Sequence, residues 1–269
     1  MTRRRAFLSA LASSLAAALF AGAPGANAQA PDWKKIRIGV EGAYPPFSEV
    51  GPDGRIRGFD IDIANALCAR LQAECTLVPQ EWDGMIPALN ARKFDAIIAS
   101  MSITEERRRA VLFSTKYYAT PARLVAKANT PMQPTPAGLK GHRIGVQRQT
   151  TQDRYATDVF KDSEIVRYAK MDEAFLDLSA GRIDAMLVDS VAADYGFLRR
   201  PAGKGFAFFG PPFIDEKYFG EGAAVAMRKS DTALKAKLDA AIAAIRADGS
   251  YQKIAATYFS FDVYGPERK

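Results

Sequence analysis

Histidine is almost absent: His142 is the only one in 269 residues. That removes the commonest general base and the commonest metal ligand. The two cysteines, Cys68 and Cys75, are too few for a structural zinc site, and His142 is remote from both in sequence. No metal and no cofactor is therefore expected. No Pro/Gly/Ser-rich or low-complexity stretch interrupts the chain, and no short-period repeat runs through it. No basic run is backed by aromatics, which argues against a nucleic-acid surface. No stretch after residue 28 is long and apolar enough to span a bilayer. What remains is 48% hydrophobic and 25% charged, enough apolar material for one large or two medium globular domains.

The first 28 residues are set apart. Arg3, Arg4 and Arg5 form a basic start, Phe7 to Phe20 are mostly apolar, and Ala26-Asn27-Ala28 is a small-x-small cleavage site. This is the pattern of an export signal. Arg4-Arg5-Ala6-Phe7-Leu8 fits a twin-arginine signal, and a Sec signal with extra arginines fits equally. Without the signal, the formal charge falls from +7 to +4, a mild excess spread along the chain. Export makes a Cys68–Cys75 disulfide permissible, and so short a loop would add about 2–3 kcal/mol on the chain-entropy estimate. Two unpaired buried thiols are the alternative.

Along the remaining chain, strands and helices alternate. Ile36 to Val40 read as a strand ending at Glu41, and prolines fix the loop from Gly42 to Phe47. Phe59 opens a helix to about Leu71, with acids in its first turn, where the dipole favours them. Cys75 to Pro79 and Lys93 to Ser100 read as strands, with a short helix from Met85 to Leu89 between them. This order predicts a parallel sheet with crossover helices. Arg123 to Lys127 departs from it, because no helix precedes that strand. Then Arg143-Ile144-Gly145-Val146-Gln147 repeats the rhythm of Arg37-Ile38-Gly39-Val40-Glu41. A helix near 153–160, strands at 164–168 and 183–188, and helices at 171–180 and 190–198 follow. Gly220 to Met227 is extended, and helices at 234–247 and 251–258 close the chain. The spacing thus gives two αβ units, with the C-terminal helices completing the first. The chain crosses between them near 119–122 and near 213–219.

Ligands in open α/β sheets bind at the carboxyl ends of strands. The strand-end residues are Glu41 and Tyr44, Ser100 with Met101 and Ser102, Gln147, Thr150, Thr151 and Gln152, and Asp189; Trp82 and Arg107 lie nearby. Arg107 with backbone N–H groups at Ser102 and Thr151 suits a carboxylate. Asp189 suits an ammonium. Glu41 with Tyr44 and Trp82 suits a cationic side chain. Each has a plainer reading: Asp189 as a helix cap, the aromatics as core, Glu41 as a surface charge, Arg107 as part of a solvated basic face. Their shared position at strand ends favours the joint reading.

Several motifs carry a resemblance. They are Glu41-Gly42-Ala43-Tyr44-Pro45-Pro46-Phe47, Gly58-Phe59-Asp60-Ile61-Asp62-Ile63 and Ser100-Met101-Ser102-Ile103-Thr104-Glu105-Glu106-Arg107. Gly181-Arg182-Ile183-Asp184-Ala185 and the ending Phe261-Asp262-Val263-Tyr264-Gly265 add to them. The chain resembles the polar amino-acid periplasmic binding proteins of ABC importers, in the branch of lysine/arginine/ornithine, histidine, arginine and opine binders.

That resemblance implies a two-lobed α/β periplasmic binding protein fold (type II), with two αβ lobes joined by a two-strand hinge and a ligand cleft between them. The lobes would be 29–118 plus 219–269, and 119–218. It implies a monomer that captures a cationic L-amino acid, arginine favoured, and delivers it to an inner-membrane permease. It also implies that Arg107 binds the α-carboxylate, that Asp189 and Ser100 bind the α-ammonium, that Tyr44 is one wall of an aromatic clamp, and that Cys68 and Cys75 form the branch's small disulfide. Four positions depart from the pattern: Glu41 stands for an aspartate, Trp82 for phenylalanine or leucine, Ala99 for a serine and Gln149 for a glycine. A second class remains open. Relatives of this fold include cyclohexadienyl dehydratases, for which Glu41 or Glu173 would be the general acid.

Overall fold

The computed structural model describes residues 32–265. The expected export signal and its cleavage site lie outside them. In chain order the elements are β1 (Lys35–Val40), β2 (Ala43–Tyr44), β3 (Ser48–Val50), β4 (Ile56–Arg57), α1 (Phe59–Leu71), β5 (Glu74–Pro79), α2 (Met85–Asn90), β6 (Ala96–Ile97), α3 (Glu105–Ala110), β7 (Leu112–Tyr118) and β8 (Ala122–Lys127). Then come β9 (Arg143–Gln147), α4 (Thr151–Val159), β10 (Glu164–Tyr168), α5 (Met171–Ser179), β11 (Ala185–Asp189), α6 (Ser190–Ala193), β12 (Phe206–Phe213), α7 (Glu216–Phe219), β13 (Ala223–Met227), α8 (Thr232–Ala247) and α9 (Ser250–Tyr258).

Two five-stranded sheets carry the fold, in the orders β5-β1-β6-β13-β7 and β10-β9-β11-β8-β12. In each, three strands are parallel: β5, β1 and β6 in the first, β10, β9 and β11 in the second. The fourth strand is antiparallel in both: β13 against β6 and β7, β8 against β11 and β12. These are the strands fed from the other sheet, so the parallel rule fails where the chain crosses over. The first crossing is Ala119–Pro121. The second is Gly220–Gly222, after α7 has packed on α4. A Cβ at Gly220 would stand 1.9 Å from the Ile103 carbonyl oxygen, at φ +71°, so only glycine fits that crossing. Helices α8 and α9 pack on α1.

The repeated Arg-Ile-Gly-Val has a packing cause. A Cβ at Gly39 would lie 2.7 Å from the Phe94 ring, and one at Gly145 would lie 2.3 Å from Ile183 Cδ1. Each glycine admits the large side chain that leads into the neighbouring parallel strand. The next residue repeats as well. Arg37 forks onto Asp95 with Nε and Nη2 at 3.1 and 3.0 Å, and Arg143 onto Asp184 at 3.2 and 2.8 Å. Registers agree too: Ile38 pairs with Ala96, and Ile144 with Ala185.

Some elements differ from expectation. The strand expected over Lys93–Ser100 is only Ala96–Ile97, and Ser100 itself has a left-handed φ of 56°. The helix expected over 190–198 is α6 followed by a five-residue π turn, Asp194–Leu198. The small β2-β3-β4 sheet, β12 and α7 lacked a clear periodic signal.

Candidate functional site

The internal repeat places the site. Glu41 and Gln147 occupy the same step of the two units, and so do Ser100 and Asp189. Gln147 Nε2 donates to Glu41 Oε1 at 2.7 Å, joining one repeat to the other. These four residues line a cavity of about 700 Å³ together with Tyr44, Trp82, Ser102, Arg107, Thr150, Thr151 and Gln152. Every expected site residue except Met101 is there. Met101 is corrected: its side chain is 1% exposed in the core with Phe113 and Leu89. Met101 packs in the core between Ser100 and Ser102, which both line the cavity.

Ser100 is held from behind. Its Oγ donates to Asp60 Oδ2 and Tyr117 OH donates to Asp60 Oδ1, both at 2.9 Å, while the Ser100 N–H donates to Tyr117 OH at 3.2 Å. Asp60, in the first turn of α1, is fully buried. Burial pushes its carboxyl up to about 7 against those hydrogen bonds. From sequence, Asp60 read only as a dipole-favoured acid.

Asp189 fills both its readings. Oδ1 accepts from the Val191 and Ala192 N–H groups at 2.9 Å, capping α6, and Oδ2 accepts from Thr120 Oγ1. It also lines the cavity. Burial raises its carboxyl to about 6, against the Thr120 hydrogen bond and the two N–H groups. Glu41 is pushed up to about 7 by burial, opposed by Gln147.

Arg107 sits in the first turn of α3, which Thr104 caps by accepting the Arg107 N–H at 3.2 Å. The helix therefore starts at Glu105, and Ser100 to Ile103 form an irregular segment before it. The guanidinium donates to the Ser102 carbonyl at 3.1 Å and to the Gln149 carbonyl at 3.4 Å, and lies 5.0 Å from the Trp82 ring centroid. Trp82 Nε1 donates to the same Gln149 carbonyl at 3.3 Å. Gln149 adopts φ 58°, a left-handed conformation that glycine would take without strain and that glutamine takes here. Burial lowers Arg107 to about 10, so it remains a cation at neutral pH. Among the described residues, Arg107, Glu41 and Asp189 form no ion pairs.

Thr150 caps α4, accepting the Asp153 N–H at 3.1 Å and donating to the Gln147 carbonyl at 2.7 Å. Glu173 is not in the cavity; it is exposed and caps α5, accepting the Ala169 and Lys170 N–H groups at 3.2 Å. Cys68 and Cys75 are disulfide-bonded, between α1 and β5. Thr120, Phe213, Ile214 and Phe219 also line the cavity and were not anticipated. They flank the crossings, where sequence periodicity stops.

The family model for bacterial extracellular solute-binding proteins, family 3, matches residues 36–261. The L-arginine-binding protein of Pseudomonas aeruginosa is 53% identical over 86% of this chain and 90% of its own length. The lysine/arginine/ornithine-binding periplasmic protein of Escherichia coli K12 is 47% identical, over 86% and 89%. A Salmonella typhimurium periplasmic binding protein of high arginine specificity superposes with a TM-score of 0.78 at 33% identity, over 84% of this chain and all of that one. These relatives are binding proteins, not enzymes, and do not favour the dehydratase reading. It belongs to family 3 of the bacterial extracellular solute-binding proteins.

Proposed function

We propose that the protein binds a cationic L-amino acid, arginine before lysine, ornithine, histidine or an opine, in the periplasm and delivers it to an inner-membrane ABC permease. The observation that carries this is the set of uncompensated charges. Arg107, Glu41 and Asp189 face one cavity without ion-pair partners among the described residues; a third carboxylate, Glu216, also lines it but is not free of partners. Unpaired buried charge is costly, so the site is built for a ligand that brings the complements. One carboxylate and two cationic groups complete it, which is the charge pattern of arginine.

In this reading Arg107 and the N–H groups of Ser102 and Thr151 hold the α-carboxylate. Asp189 and Ser100 hold the α-ammonium. Glu41, with Gln147, faces the side-chain cation, and Tyr44 and Trp82 wall it. Met101 contributes packing rather than contact, and Gln152 and Thr150 shape the α4 edge. The units 29–118 with 219–269, and 119–218, act as lobes of a monomer that close about the crossings. The relatives named for arginine support the ranking of ligands.

A thermal-shift and calorimetry panel of amino acids and opines tests it. L-arginine should raise the melting temperature and bind at micromolar or tighter Kd, without turnover. If no basic amino acid or opine shifts the melting temperature, the side-chain pocket is wrongly assigned. Turnover of prephenate or arogenate would restore the enzyme reading.

A further inference from the structure

Four ion pairs cross from the first αβ unit to the second. Asp83 pairs with Arg148, Glu106 with Arg154 at 2.5 Å, Glu49 with Arg200 at 3.6 Å, and Glu81 with Lys170 at 3.8 Å. Every acid is on the first unit and every base on the second. Ion pairs inside a unit show no such sorting: the first holds Arg37–Asp95 and Arg57–Glu49, the second Arg143–Asp184 and Arg182–Asp177. The acids come from three elements, β3, the loop before α2 (Glu81 and Asp83) and α3; the bases come from four, the β9–α4 loop, α4, the start of α5, and the turn after α6.

We infer that these four cross-unit pairs form a charge-sorted latch, acids on the first unit and bases on the second, that draws the lobes together before ligand arrives and sets how readily the empty protein closes. This rests on the reading of the two units as lobes that open and close. A single exposed pair shifts an equilibrium by less than about fivefold. The four pairs act together, because every one favours the same motion. Reversing the charges on one unit turns attraction into repulsion. The ligand then works against it, and apparent affinity falls with the fraction of closing-competent protein. The contact of Trp82 Nε1 to the Gln149 carbonyl joins neutral groups across the cleft and carries no such dependence on salt.

Glu81, Glu106, Arg154 and Lys170 lie outside the cavity; because the charge of Lys170 acts on Glu41 and that of Glu106 on Arg107, the dimensions of the empty protein, rather than affinity alone, read the latch. The experiment compares wild type, Glu81→Lys/Glu106→Lys, Arg154→Glu/Lys170→Glu, and the combined four-site swap. Small-angle scattering measures the radius of gyration without ligand and with L-arginine, at about 0.01 M and about 1 M salt, where the screening length falls from about 30 to about 3 Å. Calorimetry measures L-arginine affinity in the same solutions. The ligand-free wild type should be more compact at low salt than at high salt. Each one-unit reversal should expand it and weaken L-arginine by between about 3-fold and about 25-fold at low salt, with the loss shrinking at high salt. The combined swap should restore both values, since opposite signs face each other again. Ligand-free dimensions and affinities that ignore salt and the sign of these charges, or a combined swap that adds the two losses instead of cancelling them, would overturn the latch. If L-arginine changes neither the scattering nor the heat in wild type, the ligand and lobe reading falls with it.

Discussion

Glu41 sets the pH behaviour of the site. Burial holds its carboxyl near 7 in the ligand-free protein, well above the ordinary value near 4.3. A cation beside it favours the ionised form, so binding a cationic side chain near neutral pH expels a proton from Glu41. Asp189, held near 6, loses one in the same way when an ammonium arrives. Release on binding means that affinity rises with pH. L-arginine affinity should therefore climb from pH 5 to about 7.5 and level off above it. Calorimetry in two buffers of different ionisation enthalpy should show proton release at pH 6.5. Glu41→Gln should lower affinity at pH 8 by at least tenfold and flatten the upper part of the profile. A variant with the wild-type slope would remove Glu41 from contact with the ligand cation. The stability sign is opposite. A raised carboxyl binds protons more tightly in the folded than in the unfolded state, so the empty protein gains stability as pH falls from 7 towards 4.5. Residues whose chemistry is local, Glu41, Asp189 and Arg107, were legible because strand ends announce them. Asp60 and Met101 were not. Asp60 takes its role from the Ser100 and Tyr117 hydroxyls that meet it from distant parts of the chain, and Met101 from core packing behind the cavity wall, and neither contact is written in the local sequence pattern.

At the scale of elements, what could be read was periodic. The helices α1, α5, α8 and α9 follow their apolar spacing, and the repeated Arg-Ile-Gly-Val marked both parallel strands, later explained by Phe94 and Ile183 packing on the glycines. What could not be read was pairing direction. Strands β13 and β8 look like any buried strand in sequence, and only the crossovers that feed them make them antiparallel. β12 runs Phe206–Phe213 through Gly210-Pro211-Pro212, residues that argue against a strand, and its pairing shifts register there. The Cys68–Cys75 link joins the end of α1 to β5, well away from the cavity, and spans seven residues of sequence. It should therefore act on stability alone. Cys68→Ala/Cys75→Ala should lose about 2–3 kcal/mol, roughly 5–10 °C in melting temperature for a chain of this size. L-arginine affinity should change less than threefold. A tenfold loss of affinity would show that α1, through Asp60, transmits strain to Ser100.

The two units are tied by more than their crossings. One hydrophobic cluster runs from Ile38, Phe47 and Phe59 of the first unit to Met171, Phe175 and Phe197 of the second. Tyr195, after α6, donates to the Tyr258 carbonyl of α9 at 2.5 Å and sets its ring edge-on to Phe259, with centroids 6.3 Å apart. A shared core makes partial unfolding of one unit expose the other, so the empty protein should unfold in a single calorimetric transition whose van't Hoff and calorimetric enthalpies agree. A ligand that bridges the cleft holds both units at once. Free L-arginine at about 1,000 times its Kd should add about 4.1 kcal/mol to unfolding and move the whole transition upward without splitting it. Differential scanning calorimetry across an L-arginine series reads both quantities. Two resolved transitions, only one of which follows ligand concentration, would place the binding energy on a single unit and remove the cleft between them as the site.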